Sequence, residues 1–237
     1  MSELERLLAL QHLDTAIDQL VHRRATLPAR AEIAGVDTQL AALDVREEPV
    51  LVSRHSLERD QKRLEDEVRS VEDRRDLENA RLYGGSVTAV KELQALQEEL
   101  AGLGRRQEHL EDQIIELMES DEPLRAEQEA IDAERGKLAA QRDDFRAALG
   151  AAEAEIDSEM ADLNDRRAAA AAEVSAELVE RYEKLRSQLG GIAVARLVGT
   201  SCDGCHLTLP AVEVDKLRHS DPDEVALCFE CGRILVH

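Results

Sequence analysis

Tryptophan is absent from this chain, tyrosine and phenylalanine occur twice each, and aromatics make up 2% of its 237 residues. Large rings supply much of the buried area of an ordinary core, so a thick single globular core is excluded. Proline is scarce too, with five residues, which leaves long stretches without a helix breaker. No segment approaches the roughly 20 apolar residues that a membrane-spanning helix needs. The opening MSELERLLALQHLD lacks a basic segment followed by an uninterrupted apolar run, so neither a membrane span nor a secretory signal is expected. Cysteine is missing until residue 202, and all four cysteines fall in the last 36 residues. All four belong to Cys-X-X-Cys pairs, so disulfides are not expected, and a reducing cytoplasm is the expected compartment.

Positive charge is also in short supply. The chain carries 30 Lys and Arg against 51 Asp and Glu, a net charge of −21. Such a surface opposes non-specific binding to phosphate backbones, which depends on cations displacing counterions. It favours solubility and basic partners.

What the sequence has in abundance is Ala, Leu, Glu, Asp and Arg in long tracts, the composition of a long helix or coiled coil. Leu96, Leu103, Leu110, Leu117, Leu124, Ile131, Leu138 and Phe145 recur every seven residues, with Leu93, Leu100, Ile114 and Leu149 in the companion position. A repeat of 3.5 residues keeps one stripe facing a partner helix, the pattern of a left-handed coiled coil. The companion position turns polar at Gln107, Asp121, Gln128, Arg135 and Arg142, where a loose seam is expected. Leu10, Leu13, Ile17, Leu20, Ile33, Val36, Leu40, Leu43, Leu57, Leu64, Val68 and Val71 give the first segment stripes of its own.

Between the two striped regions lies Leu82-Tyr-Gly-Gly-Ser86, where paired glycines interrupt a helix. The expected fold is mainly α: a long antiparallel coiled-coil helical hairpin over residues 1–190, its tip near 83–88, and a small C-terminal β zinc ribbon over 191–237. Pro49 and Pro123 lie equally far from Ser86, so the expectation is that they kink the two arms at the same level, with a further bend at Pro28. Ser86 or Thr88 would cap the second arm. Beyond about residue 170, Val174, Leu178, Tyr182, Leu185 and Leu189 form an apolar face that ends at Gly190-Gly191 and should pack against the ribbon or the N-terminus.

Cys202-Asp-Gly-Cys205 and Cys228-Phe-Glu-Cys231-Gly are separated by 22 residues. Two such pairs form a tetrahedral site of four thiolates, here Cys202, Cys205, Cys228 and Cys231 around one structural Zn(2+), with iron as the alternative ion. Four protein ligands leave no open coordination position, which argues against catalytic metal. Strands are expected at 192–198, 206–209 and 233–236. A unit of this size buries too little apolar surface to fold unaided, so the metal should supply much of its folding energy. His206 and His219 lie near the cysteines and are expected to support the ligands from outside or to lie at the surface, with a place as substitute ligand the alternative.

Leu82-Tyr-Gly-Gly-Ser-Val, Lys91-Glu-Leu-Gln-Ala-Leu96, Cys202-Asp-Gly-Cys-His-Leu-Thr-Leu-Pro210 and Cys228-Phe-Glu-Cys-Gly-Arg-Ile-Leu235 together resemble a bacterial family of coiled-coil hairpin proteins ending in a C4-type zinc ribbon. The whole chain is similar, closest to the versions of high-GC Gram-positive bacteria. The resemblance implies an interaction protein, since some members bind the nitrogen-type alternative sigma factor and support flagellar gene expression. One binds messenger RNA through its ribbon end.

No nucleophile–base pair or phosphate-binding glycine loop rises above chance, so a non-enzymatic protein-interaction module associated with the transcription machinery is expected, with RNA polymerase or a sigma factor as partner. Tyr83, Ser86, Thr88, Lys91 and Glu92 at the tip are the candidate contacts. The alternative is an RNA- or ribosome-associated protein that uses Arg181, Lys184, Arg186, Arg196 and Arg233, a reading disfavoured by the acidic charge. Self-association along the polar part of the seam is a third reading.

Overall fold

Tracts rich in Ala, Leu, Glu and Arg, all strong helix formers, produce four helices before the first strand. In the computed structural model, which describes residues 2–85 and 87–237, these are α1 (Glu3–Ala25), α2 (Pro28–Tyr83), α3 (Val90–Ala172) and α4 (Ala176–Gln188). Four short strands follow, β1 (Val194–Val198), β2 (Ser201–Cys202), β3 (Ala226–Leu227) and β4 (Ile234–Val236), with α5 (Ala211–His219) between β2 and β3. Long helices forming a hairpin and a small C-terminal strand region are thus both present. The chain divides into two compact units, Ile33–Asp144 and the residues up to Glu32 together with Phe145–His237.

The first unit holds the antiparallel pairing of α2 with α3. Helix α2 stops at the glycine pair. The Gly84 amide donates to the Ala80 carbonyl at 2.9 Å, and a Cβ at Gly84 would meet that carbonyl oxygen at 2.4 Å. Gly85 adopts φ +72°, a left-handed conformation that side chains disfavour. Helix α3 opens one residue later than expected: the amides of Glu92 and Leu93 donate to the Ala89 carbonyl at 3.0 Å, so Thr88 is not its cap. Ser86 lies outside the described residues.

The heptad row of α3 is buried or half-buried from Leu96 through Ile131 to Leu138. It meets a matching row on α2 that includes Val36, Leu43, Val50 and Leu64. The companion row is not loose, as its polarity suggested. Arg54 donates to Asp121 at 3.0 Å and also binds Gln128. Arg135 reaches Asp44 at 3.0 Å and Glu47 at 2.5 Å, and Arg142 reaches Asp37 at 3.4 Å. Gln107 accepts from Arg75 and donates to Glu72 at 3.1 Å. Long polar side chains cross the seam and find partners on the facing helix, although among the described residues Arg75 Nε and Arg142 Nε are buried without one. Asp121, only 8% exposed, is held below the usual carboxylate range because hydrogen bonds and charge from Arg54 and Arg125 outweigh its desolvation.

These bonds also set the register. Both prolines lie inside continuous helices. Pro123 sits between Asp121 and Gln128, which share Arg54, whereas Glu47, two residues before Pro49, bonds Arg135. The prolines are therefore staggered rather than level. Equal distance from Ser86 fails as a guide because the side-chain partners, and not the midpoint of the turn, fix the pairing.

The second unit begins with α1, whose first turn is capped by Ser2 Oγ accepting from the Glu5 amide at 3.2 Å. The expected bend at Pro28 is a full break: α1 ends at Ala25 and Pro28 opens α2, where its missing N–H is harmless. A second break, not foreseen, separates α3 from α4 at residues 173–175. The peptide groups freed there are satisfied by α1, since the Ser175 amide donates to Glu3 at 2.5 Å and Arg6 donates to the Glu173 carbonyl at 3.1 Å. The break turns α4 back so that Val174, Leu178 and Tyr182 pack on Leu4, Leu7, Leu8 and Leu10 of α1.

The sheet has strand order β2-β1-β4-β3, with β1 and β4 parallel and both outer pairs antiparallel. Successive side chains of a strand point to opposite faces. Val194, Ile234 and Val236 accordingly join the core of α1 and α4, while Ala195 and Leu235 join a second core with Leu209, Val214, Leu217 and the cysteines. Buried polar groups of α1 complete the junction. Gln11 accepts from the amides of Ala193 (2.7 Å) and Val194 (2.5 Å) and donates to the Val194 carbonyl at 2.6 Å. Asp14, 2% exposed, accepts from Tyr182 Oη at 2.7 Å and Arg167 Nε at 2.5 Å.

Removing one partner of such a buried group leaves the others desolvated and unpaired. Asp14→Ala should therefore cost about 3 kcal/mol in denaturant unfolding. Arg63→Ala, which removes an exposed pair with Glu67 at 2.9 Å, should cost less than about 0.5 kcal/mol. Equal losses for the two variants would contradict the assigned role of Asp14.

Candidate metal centre

Each cysteine pair lies in a tight turn whose geometry repeats. The His206 amide donates to the Cys202 carbonyl at 2.8 Å, and the Gly232 amide donates to the Cys228 carbonyl at 2.8 Å. The Cys202 amide then reaches the Leu207 carbonyl (3.1 Å), and the Cys228 amide reaches the Arg233 carbonyl (2.7 Å). The residue after each second cysteine is left-handed: Gly232 at φ +73° and His206 at φ +62°. Gly204 is needed for space, because a Cβ there would lie 2.7 Å from Arg233 Cδ and 2.9 Å from Ala195 Cβ.

The two turns bring all four sulfur atoms within 4.8 Å of one another. Cys202 Sγ lies 3.9 Å from Cys231 Sγ, and Cys205 Sγ lies 3.9 Å from Cys228 Sγ. A tetrahedron of zinc–sulfur bonds has sulfur atoms about 3.8 Å apart, so these two separations match what the ion requires. Backbone amides of Gly204 and Cys205 point at Cys202 sulfur, and those of Glu230 and Cys231 at Cys228 sulfur. Burial nevertheless pushes the Cys202 thiol up to about 12 and raises Cys228 as well. Burial acts the same way on Cys231, but donors from Arg233 bring it down to about 7. A divalent cation among the sulfurs would favour all the thiolates together, releasing protons as it binds.

Of the other candidate residues, Arg233 lies against the second cysteine turn, where it donates to Cys231. Tyr83, Thr88, Lys91 and Glu92 are exposed at the turn between α2 and α3. Arg181 and Lys184 are exposed on α4. Arg186 is bound to Asp18 at 2.7 Å, Arg196 to both oxygens of Glu5 at 3.0 Å, and Arg233 to the Ile192 carbonyl at 3.0 Å. Three of the five cations are thus already engaged by carboxylates or a carbonyl.

Two features of the ribbon went unread in the sequence. Residues 206–209 form only an isolated bridge, Ser201 with Thr208, instead of a strand. Helix α5 buries Val214 and Leu217 against the cysteines. Its signal was present, with Glu213 in the first turn and Lys216, Arg218 and His219 in the last, each suited to the helix dipole.

Residues 10–190 match the CT398-like coiled coil hairpin domain, and residues 201–235 match the C4-type zinc ribbon domain. The chain belongs to this coiled-coil hairpin family. Its centre is accordingly a structural zinc site of four cysteines. An uncharacterized protein of Mycobacterium tuberculosis (strain H37Rv) is 34% identical over 234 residues, spanning 97% of this chain and 93% of that protein. An uncharacterized protein of Mycobacterium leprae is 27% identical over 228 residues, spanning 95% and 96%. A structure from Mycobacterium smegmatis has TM-score 0.85 at 27% identity, covering 99% of this chain and 97% of the other. CT398 of Chlamydia trachomatis, with TM-score 0.65 at 20% identity and the same coverage, shares the fold.

Because β1 and β4 serve both cores, chelating the zinc should raise amide hydrogen exchange in α1 around Leu7 and Gln11 as well as in the ribbon. Protection of α1 that ignores chelation would show the two cores to be independent. His206→Gly should raise the melting temperature, since a side chain in the left-handed region costs about 1 kcal/mol, and metal stoichiometry should stay unchanged. Loss of metal in this variant would instead make His206 a ligand.

Proposed function

We propose that this protein is a non-enzymatic, zinc-stabilised interaction module, with residues 1–190 as the helical part and 191–237 as the ribbon, whose hairpin engages a protein of the transcription machinery. The observation that carries this reading is the placement of its rare rings. Of only four aromatic residues, Tyr83 is 82% exposed beside the turn. Leu77 (66% exposed) and Val90 (69% exposed) bracket it in sequence. A turn needs its glycines, but not a solvated tyrosine flanked by solvated aliphatics. Exposed rings and aliphatic side chains on a rigid element suit a protein contact. The family resemblance supplies the expected partner, RNA polymerase or a sigma factor.

The polar clusters support a binding role and not catalysis. Among the described residues they are ion pairs and the four-thiolate centre, which leaves zinc no open position. No helix is long and apolar enough to cross a membrane among the described residues. The RNA-binding alternative is weakened by the net charge of −21 and by the pairing of Arg186 and Arg196 with carboxylates.

Affinity capture from lysate of the source bacterium, with and without RNase, tests the reading. RNase-resistant recovery of polymerase or a sigma factor should fall at least about tenfold when Tyr83→Ser, Lys91→Ala and Glu92→Ala are combined. Unchanged recovery by that variant removes the tip, and RNase-sensitive recovery of ribosomal proteins moves the function to the ribbon.

A further inference from the structure

Helix α3 carries a face that its pairing with α2 does not use. Glu108, Glu111, Asp112, Ile115, Met118, Glu119 and Glu122 recur at helical spacing along it, and all are exposed. Ile115 is 53% exposed and Met118 is 55% exposed. Scattered apolar residues on a surface are ordinary. These two are three residues apart and therefore adjacent on the helix, in a stretch otherwise occupied by carboxylates. They open onto a shallow groove of about 420 Å³, completed by Gln61 of α2 with Glu119, Asp121, Glu122 and Arg125 of α3. Arg125 brings little free positive charge to it, because its Nε donates to Asp121 at 2.5 Å.

Building on the interaction-module reading, we propose that this face docks a basic amphipathic helix of a partner protein. The occupant follows from charge complementarity. Among the described residues, Glu108, Glu111, Asp112, Glu119 and Glu122 have no cationic partner, unlike the carboxylates that cross the seam. An apolar pair fringed by unpaired carboxylates matches a helix with apolar anchors at i, i+3 or i+4 and Lys or Arg beside them. A second copy of the chain would bring the same acidic face and the same net charge of −21, so like charges oppose it. Ile115 and Met118 supply the desolvated contact. The carboxylates steer the approach and make it sensitive to salt.

The test uses the full-length zinc-loaded protein and a fluorescein-labelled helical peptide of about 18 residues, roughly five turns, with one leucine face and one lysine face. Anisotropy titration should give saturable one-to-one binding that Ile115→Ser with Met118→Ser weakens at least about tenfold. Asp112→Asn, Glu119→Gln and Glu122→Gln together should also weaken it and flatten its salt dependence, while Tyr83→Ser should leave it unchanged. All these side chains are exposed, and circular dichroism checks that each variant keeps its helices. Failure of the wild-type protein to bind the peptide overturns the proposal. So does equal binding by the Ile115→Ser, Met118→Ser variant, which would mean only general attraction to an acidic surface. Concentration-dependent dimerisation abolished by the same two substitutions would make the occupant a second copy and likewise overturn it. Each of these results leaves tip-dependent capture of a transcription protein standing, so the two readings fail separately.

Discussion

The parallel pair β1–β4 is the interaction on which the zinc-bearing unit depends. Its two faces serve two different cores, one formed with α1 and α4 and one around the cysteines. A sheet of such short strands is marginal in water, because few ladder bonds offset the ordering of its backbone. Here metal bonds close one side, and the leucines of α1 cover the other. Gln11 binds peptide groups of Ala193 and Val194, taking the part of a neighbouring strand. The zinc centre is structural in this extended sense, since it holds the platform on which the N-terminal helix rests.

The hairpin of α2 and α3 uses a different division of labour. One row of the seam is apolar over its whole length and supplies cohesion, while the companion row is polar at Gln107 and in four successive layers from Asp121 to Arg142. Exposed ion pairs add little stability one at a time. Arg54, Asp121, Gln128, Glu47 and Arg135 instead discriminate among registers, because a shifted pairing leaves half-buried charges without partners. A long helix pair with a uniformly apolar seam would be free to slide by a heptad; this one is pinned.

Strong negative charge and few rings shape what the surface offers. Tyr83 beside the hairpin turn and Phe229 in the second zinc turn are each 82% exposed, whereas Tyr182 is fully buried against Asp14. Apolar side chains left in water on an acidic scaffold favour contacts with basic or mixed protein surfaces over phosphate backbones.

The repeat of Leu96 through Phe145, the glycine pair after Tyr83, and the two cysteine pairs declared the hairpin and the metal centre from the chain alone, because period, turn chemistry and ligand spacing are local properties. Four features were decided only by tertiary structure: the stagger of Pro49 and Pro123, the break at residues 173–175, the burial of Gln11 and Asp14, and the two-faced use of β1 and β4. Each depends on a partner distant in sequence. Arg54 chooses Asp121, Glu3 and Arg6 satisfy the freed peptides near Ser175, and Gln11 is read as a core residue only once β1 lies beside it. Polar side chains are ambiguous in a sequence because water satisfies them as well as a partner does, and folding alone determines which of the two they meet.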